Sequence, residues 1–423
     1  MISSIPLAVL GLISLTNGMH IRSSELAQEP WASQNAPSRA IGKLPALGWN
    51  TWNAYRCNIN ESNVLAAADQ FISLGLKDAG YTYVNIDDCW SNHTRDSKGR
   101  LVVDNEKFPN GMSHVVDKIH SLGLKAGIYS DAGVMTCAKY PGSLGHEAED
   151  ATSFSEWGFD YLKYDNCNVP KYLKDTIPPD GDWFKSNSSK RFQAMSEQLI
   201  IQPRPIEYSL CIWGEAKVWQ WGARVGHSWR ILGDSRPVWD YIMTATRVNV
   251  EILDYVDFYS HNDMDMMEIG NGNLTIQEQR THFAIWAFMK SPILIGTDMN
   301  KLSEEQLKII TNEQLLAFSQ DETFGKPAKP FYNIADPAMR SPPEYYAGES
   351  SKGMHVFIIN TGDERSRKSV DLASVPGLSG LRFEVFDMWT NEKLDVVEGR
   401  ETFEIELDSH DTAALFVAPR KHA

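Results

Sequence analysis

The chain has 423 residues, 42% of them hydrophobic, 22% charged and 11% aromatic, with 55 acidic side chains against 40 basic ones. Such a length calls for a domain of barrel size plus a smaller one. A formal charge of -15 repels nucleic acid and anionic membranes, and no stretch is apolar enough for long enough to span a bilayer, so a neutral or cationic small molecule is the expected partner.

The chain opens on a short apolar run, Ile5 to Leu15, ending in small and polar residues. It reads as the core of a signal peptide over 1–18 and predicts secretion. Residues 19–43 are polar and aperiodic, as expected of a pro-segment or flexible arm. From Leu44 to about Gln320, β-rich runs alternate with amphipathic stretches. Strands are expected at Ala46 to Trp49, Tyr83 to Ile86, Lys125 to Tyr129, Tyr161 to Tyr164, Ile206 to Leu210, Ser228 to Ile231, Asp257 to Ser260 and Ile293 to Gly296. The helical period is clearest at Glu61 to Leu76, Met112 to Leu122, Lys190 to Ile200 and Ile276 to Met289, the last with Phe283, Ile285, Trp286 and Met289 on a buried face. Eight such units predict an α/β protein with a (β/α)8 barrel over 44–325, although periodicity alone also allows a doubly wound open sheet. After Pro327 and Pro330 alternating runs take over, at His355 to Asn360, Phe383 to Phe386, Phe403 to Leu407 and Ala414 to Val417. They predict a C-terminal antiparallel β-sandwich domain over 326–423.

In such a barrel the chemistry lies at the carboxyl ends of the strands. The residues there are Trp52; Asp87 and Asp88; Tyr129 and Asp131; Lys163 and Asp165; Cys211 and Trp213; Arg230 and Asp234; and Asn262, Asp263 and Asp265. Any one carboxylate is more simply a solvated loop residue or a helix cap. As a set they describe a pocket that hydrogen-bonds many hydroxyls above a stacking ring, which suits a sugar. Hydrolysis of a glycoside then needs two of the carboxylates, and composition does not choose which. The rival use is a metal, with Asp87 and Asp88, or His261 to Asp265, as ligands. The latter run lacks the Gly and Glu of a calcium loop, and no His pair has a zinc spacing, so no metal or cofactor is expected. Sequons at Asn60, Asn92, Asn187 and Asn273 fit an exported glycoprotein, and five cysteines fit two disulfides and one thiol.

Four blocks, Gly48-Trp49-Asn50-Thr51-Trp52, Asn85-Ile86-Asp87-Asp88-Cys89-Trp90, Leu162-Lys163-Tyr164-Asp165-Asn166-Cys167 and Ser228-Trp229-Arg230-Ile231-Leu232-Gly233-Asp234, resemble the α-galactosidases (melibiases) of glycoside hydrolase family 27, most of all the secreted fungal ones. The resemblance runs from about Leu47 to Asp298. It implies a retaining, exo-acting hydrolase of terminal α-galactosyl residues, with Asp165 as nucleophile and Asp234 as acid/base. It assigns Asp87 and Asp88 to the 4- and 6-hydroxyls, Lys163 and Arg230 to ring hydroxyls and the nucleophile's surroundings, Trp52 to stacking, Tyr129 to the pocket wall and Met266 to the sugar. It also implies disulfides Cys57–Cys89 and Cys137–Cys167 with Cys211 free. The family's Gly-Gly-Trp-Asn-Asp-Pro-Asp-Met block is replaced here by Phe258 to Met266, which leaves the shape of that loop and its outer contacts open. Members accepting an acetamido group resemble one another in having Ser and Ala after the fifth strand, whereas Cys211 and Trp213 stand here, so galactose is expected over N-acetylgalactosamine. A non-catalytic galactose-binding protein on this scaffold is the alternative from another class. The natural aglycone and the oligomeric state stay open.

Overall fold

The computed structural model describes residues 37–378, 382–398 and 401–419; the signal-peptide reading and most of the expected arm lie outside them. In chain order the elements are β1 (Leu47–Asn50), α1 (Thr51–Tyr55), α2 (Glu61–Ser73), β2 (Tyr83–Asn85), α3 (Gly111–Ser121), β3 (Lys125–Asp131), α4 (Glu147–Trp157), β4 (Tyr161–Asp165), α5 (Asn187–Ile200), β5 (Glu207–Leu210), β6 (Ser228–Arg230), α6 (Trp239–Val250), β7 (His261–Asp263), α7 (Ile276–Phe288), β8 (Ile293–Ile295), α8 (Glu304–Ile310) and α9 (Glu313–Ser319). The eight strands form one parallel sheet in the order β7-β6-β5-β4-β3-β2-β1-β8. It curls until a parallel bridge between Met267 and Ile295 joins its ends, with the Gly296 N–H donating to the Met267 carbonyl at 2.9 Å. The sheet is therefore a closed barrel rather than an open one.

Local chemistry explains the helices. The Asn60 side chain caps α2 by accepting from the Asn63 N–H at 2.9 Å, and Val64, Ala67, Ala68 and Phe71 form its buried stripe. The helix stops at Ser73, short of the expected Leu76, because Gly75 takes φ +74° and turns Leu76 back into the core. In α5 the Ser186 hydroxyl accepts from the Ser189 N–H at 3.1 Å, so the helix begins three residues before Lys190. Between β5 and β6 the crossover is made of single 3-10 turns only.

The largest difference from the sequence reading is the seventh strand. Asp257 to Ser260 makes a tight turn closed by an Asp257–Ser260 bridge, and the strand is His261–Asp263, paired with Ser228, Trp229 and Arg230. Phe258 and Tyr259 have high β-propensity and His-Asn-Asp does not, but here burial decides. Asn262 lies on the outer face, where it accepts from Trp229 Nε1 at 2.9 Å and donates to Asn249 of α6 at 2.8 Å. Tyr259, Ser260 and His261 lie at the amino-terminal end of the barrel, so the departure from the family block there touches no outer contact of the site.

Residues 37–43 cross that same end. The Tyr208 N–H donates to His227 Nδ1 at 3.0 Å, so His227 carries its proton on Nε2, which faces the Ser38 carbonyl at 2.9 Å. His261 Nε2 lies 3.3 Å from the Gly42 carbonyl, and the Tyr259 N–H donates to the Lys43 carbonyl at 3.1 Å.

The second domain adds β9 (Lys329–Pro330), β10 (Tyr345–Ser350), β11 (Gly353–Ile359), β12 (Ser366–Asp371), β13 (Arg382–Asp387), β14 (Lys393–Glu398), β15 (Thr402–Leu407) and β16 (Thr412–Pro419). A six-stranded antiparallel sheet, β14-β13-β16-β11-β10-β9, faces the β12–β15 pair across a core that includes Val356, Val385, Phe403 and Leu415. Helix α7 lies between the barrel and this sandwich, so the run from Thr281 to Phe288 is buried all round rather than on one face. Phe288 stacks on Phe357 with centroids 4.6 Å apart, and the Thr281 hydroxyl meets that of Thr412 at 2.6 Å.

Asp321 also ties the two domains, accepting from the Ser351 N–H at 2.7 Å and its hydroxyl at 2.5 Å. Burial opposes the charge of Asp321, but the hydroxyl and N–H donors outweigh it and hold the carboxyl at about 2. A carboxyl whose folded pKa lies below its unfolded value adds stability that is complete above the ordinary carboxylate range and is lost as pH falls toward 2. Asp321→Asn is therefore expected to be less stable than the wild type at pH 5, with the gap closing between about pH 4 and pH 2. Urea unfolding of both proteins across that range checks it, and a gap independent of pH would contradict it.

Candidate active site

Alternate residues of each barrel strand face the axis. Along β4, Leu162 and Tyr164 join the core beneath the helices, while Tyr161 packs on the axis with Ala46, Tyr83, Met266 and Leu294. Lys163 and Asp165 reach a cavity of about 210 Å³ at the carboxyl end, also lined by Trp52, Asp87, Asp88, Tyr129, Cys137, Trp213, Gly233 and Asp234. Seven strand ends were expected to feed one rim, and this cavity draws on six of them.

Asp165 is buried, accepting from the Tyr129 hydroxyl at 3.0 Å and the Asn166 N–H at 2.9 Å. Burial raises its pKa above the ordinary carboxylate value, against the lowering pull of Lys163, the Asn166 N–H and Arg230. Lys163 Nζ bonds Asp87 Oδ2 at 2.8 Å, where Asn50 Nδ2 also donates at 2.8 Å, and it acts on Asp165 through its charge. Asp88 is held by the Ala138 N–H at 2.9 Å, and burial pushes it up to about 6.

Asp234 differs in every respect. Its side chain is 63% exposed and accepts from Arg230 Nη2 at 3.1 Å. What burial it has raises its pKa, but the charges of Arg230 and Lys163 outweigh this and hold the carboxyl below its ordinary value. A general acid needs a less solvated setting or a negative neighbour, whereas Asp234 is exposed and has a guanidinium beside it.

Residues 44–321 match the family described as "Alpha galactosidase A", and residues 340–417 the "Alpha galactosidase C-terminal beta sandwich domain". The chain belongs to the melibiase family. As a melibiase of glycoside hydrolase family 27 it is an α-galactosidase. It is 46% identical over 417 residues to the Aspergillus oryzae protein named "Probable alpha-galactosidase B", covering 89% of this chain and 93% of the relative. The crystal structure of α-galactosidase I from Mortierella vinacea is 33% identical, with a TM-score of 0.81 over 92% of this chain and 99% of that one. The Saccharomyces cerevisiae α-galactosidase is 30% identical, with a TM-score of 0.80 over 91% and 100% of the two chains, and was also solved with raffinose.

Three residues expected to contact the sugar stand behind this melibiase cavity. Arg230 pairs with Asp265 at 2.8 Å and with Asp234, forming a bridge between two acids. Cys211 is fully buried, with its Sγ accepting from Arg230 Nη1 at 3.6 Å. Met266 sits in the axial apolar cluster against which Trp52 packs. Sequence reasoning missed Asn50 as a partner of Asp87, although it stands inside the first quoted block. It also gave Asp131 no role. That carboxylate accepts from the Gly133 and Cys167 N–H groups at 2.7 and 3.0 Å and so pins the segment that follows Asp165. Gly133 is required there, because a Cβ would strike the Cys167 carbonyl.

Disulfides join Cys57 to Cys89 and Cys137 to Cys167, each with Cα atoms 5.2 Å apart, and Cys211 is free. Asp131, Asp165, Cys137 and Cys167 converge as a metal site would, but both sulfurs are committed to the disulfide. His261, Asn262, Asp263 and Asp265 do not converge: they alternate between outer face, axis and the Arg230 pair. Of the four sequon residues, Asn60, Asn92 and Asn273 are exposed and Asn187 is half-buried.

Proposed function

We propose that this α-galactosidase is exo-acting and retaining: Asp165 attacks the anomeric carbon of a terminal α-galactosyl residue, and Asp234 protonates the leaving oxygen and then activates water. The observation that carries this reading is one small cavity presenting both carboxylates in opposite environments, one buried and one exposed and cation-paired. An exposed carboxylate at the mouth has access to both leaving group and water, and a buried one beneath has access to the ring carbon. Asp87 and Asp88 accept the 4- and 6-hydroxyls, Lys163 orients Asp87, and Trp52 stacks under the ring. Arg230 and Met266 act from behind, on Asp234 and on Trp52. Raffinose-type oligosaccharides and galactomannan side chains are the proposed natural substrates, and the apolar leader, sequons and two disulfides favour an exported enzyme. Proton NMR of the first minutes of hydrolysis tests the stereochemistry: α-galactose appears first, and β-galactose would refute retention.

Exclusion of N-acetylgalactosamine is proposed to fall on Trp213, which lines the cavity, more than on Cys211, which does not. Trp213→Ala is expected to raise the ratio of α-N-acetylgalactosaminidase to α-galactosidase activity about tenfold or more, and Cys211→Ser alone to change it little. Assays on the paired aryl glycosides decide it; a shift produced by Cys211→Ser alone would move the gate.

A further inference from the structure

Packing alone does not place two of the side chains that line the galactosyl cavity. The Asp234 side chain is mostly exposed and pairs with Arg230, so its position depends on the backbone of the loop between β6 and α6. Trp52 stands on α1, whose five residues are too few to hold a helix by themselves. The residue after each of them reaches the same acid, Glu268, which is buried on the segment between β7 and α7, outside the cavity lining. Glu268 Oε1 accepts from Asn53 Nδ2 at 2.5 Å and from the Ser235 hydroxyl at 2.9 Å. Asn53 Nδ2 also donates to Ser235 Oγ at 3.1 Å, which closes a triangle. Glu268 Oε2 accepts from Asn271 Nδ2 at 2.6 Å, and that amide donates to the Gly296 carbonyl at 3.2 Å. One carboxylate thus ties together the segments that follow β1, β6, β7 and β8.

We propose that Glu268 is a positioning residue for the hydrolysis: through Ser235 it fixes the backbone that carries Asp234, and through Asn53 it fixes the turn of α1 that presents the Trp52 ring. The proposal rests on the reading of Asp234 as acid/base. A carboxylate suits the task because its two oxygens accept from several donors at once, whereas the amide of a glutamine has a single acceptor oxygen. Burial raises the pKa of Glu268 above the ordinary carboxylate value, against the lowering pull of its Asn271 and Ser235 donors. An acid in such a place costs stability that an apolar side chain would not, and the bonds to Ser235 and Asn53 give that cost a use. Ser235 keeps a second hold, its N–H donating to Asp265 Oδ2 at 2.6 Å, and the Glu268 N–H donates to His282 Nε2 at 3.0 Å. Those backbone bonds survive loss of the Glu268 side chain, so the loop keeps its course while Asp234 loses its fine alignment. A misplacement of about 1 Å in a reacting group can cost on the order of 10²-fold in rate.

The test compares kcat/KM for a dinitrophenyl and a phenyl α-galactoside. Only the phenyl galactoside, with its poor leaving group, needs a well-placed proton donor, and any change in galactosyl binding cancels in the ratio of the two. Glu268→Ala and Ser235→Ala are each expected to raise the dinitrophenyl to phenyl ratio about tenfold or more, in the same direction as Asp234→Ala. Glu268→Gln, which keeps one oxygen for Ser235 and Asn53, should stay close to the wild-type ratio. Galactose as an inhibitor reads the Trp52 arm: Glu268→Ala and Asn53→Ala should raise its Ki roughly three- to tenfold. If Glu268→Ala does not melt cooperatively, Ser235→Ala and Asn53→Ala carry the two readouts. A dinitrophenyl to phenyl ratio that stays at the wild-type value in the folded variants, whether activity is kept or lost equally on both substrates, overturns the proposal, as does an unchanged galactose Ki. If Asp234→Ala itself leaves the ratio unchanged, the acid/base reading falls instead.

Discussion

Replacing Asp165 by asparagine is expected to lower kcat by on the order of 10⁴-fold or more and to raise the melting temperature at neutral pH. The first effect follows from the proposed mechanism, in which Asp165 supplies the attacking oxygen. The second follows from the folded state. Asp165 is buried on a strand paired in register with β3, where Asp131 lies opposite, and desolvation raises the pKa of both carboxyls. An acid whose folded pKa lies above its unfolded value costs stability as pH rises through the ordinary carboxylate range, so removing one of the two charges relieves it. Asparagine still accepts from the Tyr129 hydroxyl. Calorimetry and an aryl galactoside assay check both halves; a variant with a few per cent of wild-type turnover would remove Asp165 from the role of nucleophile. With Asp165→Ala, added azide should enter from the vacated side and yield β-galactosyl azide.

Asp234→Ala is expected to fail differently. An activated aryl galactoside needs little proton assistance, so galactosylation persists while deglycosylation slows about 10²- to 10⁴-fold for want of a base. Azide should then restore turnover and yield α-galactosyl azide; the β-azide from this variant would refute the assignment. The charges of Arg230 and Lys163 hold the pKa of Asp234 down, whereas burial raises that of Asp165, the reverse of the order that the proposed first step requires. A pH profile of kcat/KM with both an acid and a basic limb is therefore expected. In Asp234→Ala the basic limb of galactosylation should disappear.

The fold was legible wherever apolar period and burial agreed, as in α2, where Val64, Ala67, Ala68 and Phe71 fall at helical spacing. Reading failed where burial was imposed from outside the segment. His261–Asp263 is a strand because β6 pairs with it, and β12, with the sequence Ser-Arg-Lys-Ser-Val-Asp, is a strand only through its pairing with β15. The site shows the same division. The residue blocks named the cavity's carboxylates and rings, but which cation serves which acid depends on distances across the barrel. Hence Lys163 pairs with Asp87, and Arg230 spans Asp234 and Asp265. Cys211 and Met266 have the right addresses at strand ends, yet both are covered.

The strap formed by residues 37–43 limits how far this enzyme can be shortened from its amino-terminal side without loss to the barrel. A chain starting at Leu44 would leave two buried imidazoles, those of His227 and His261, facing vacated carbonyl positions, and would strip the Tyr259 N–H of its acceptor. Trimming that spares the barrel therefore stops before Ser38, and a recombinant form cut back to the edge of the catalytic domain would pay for its neat boundary in stability.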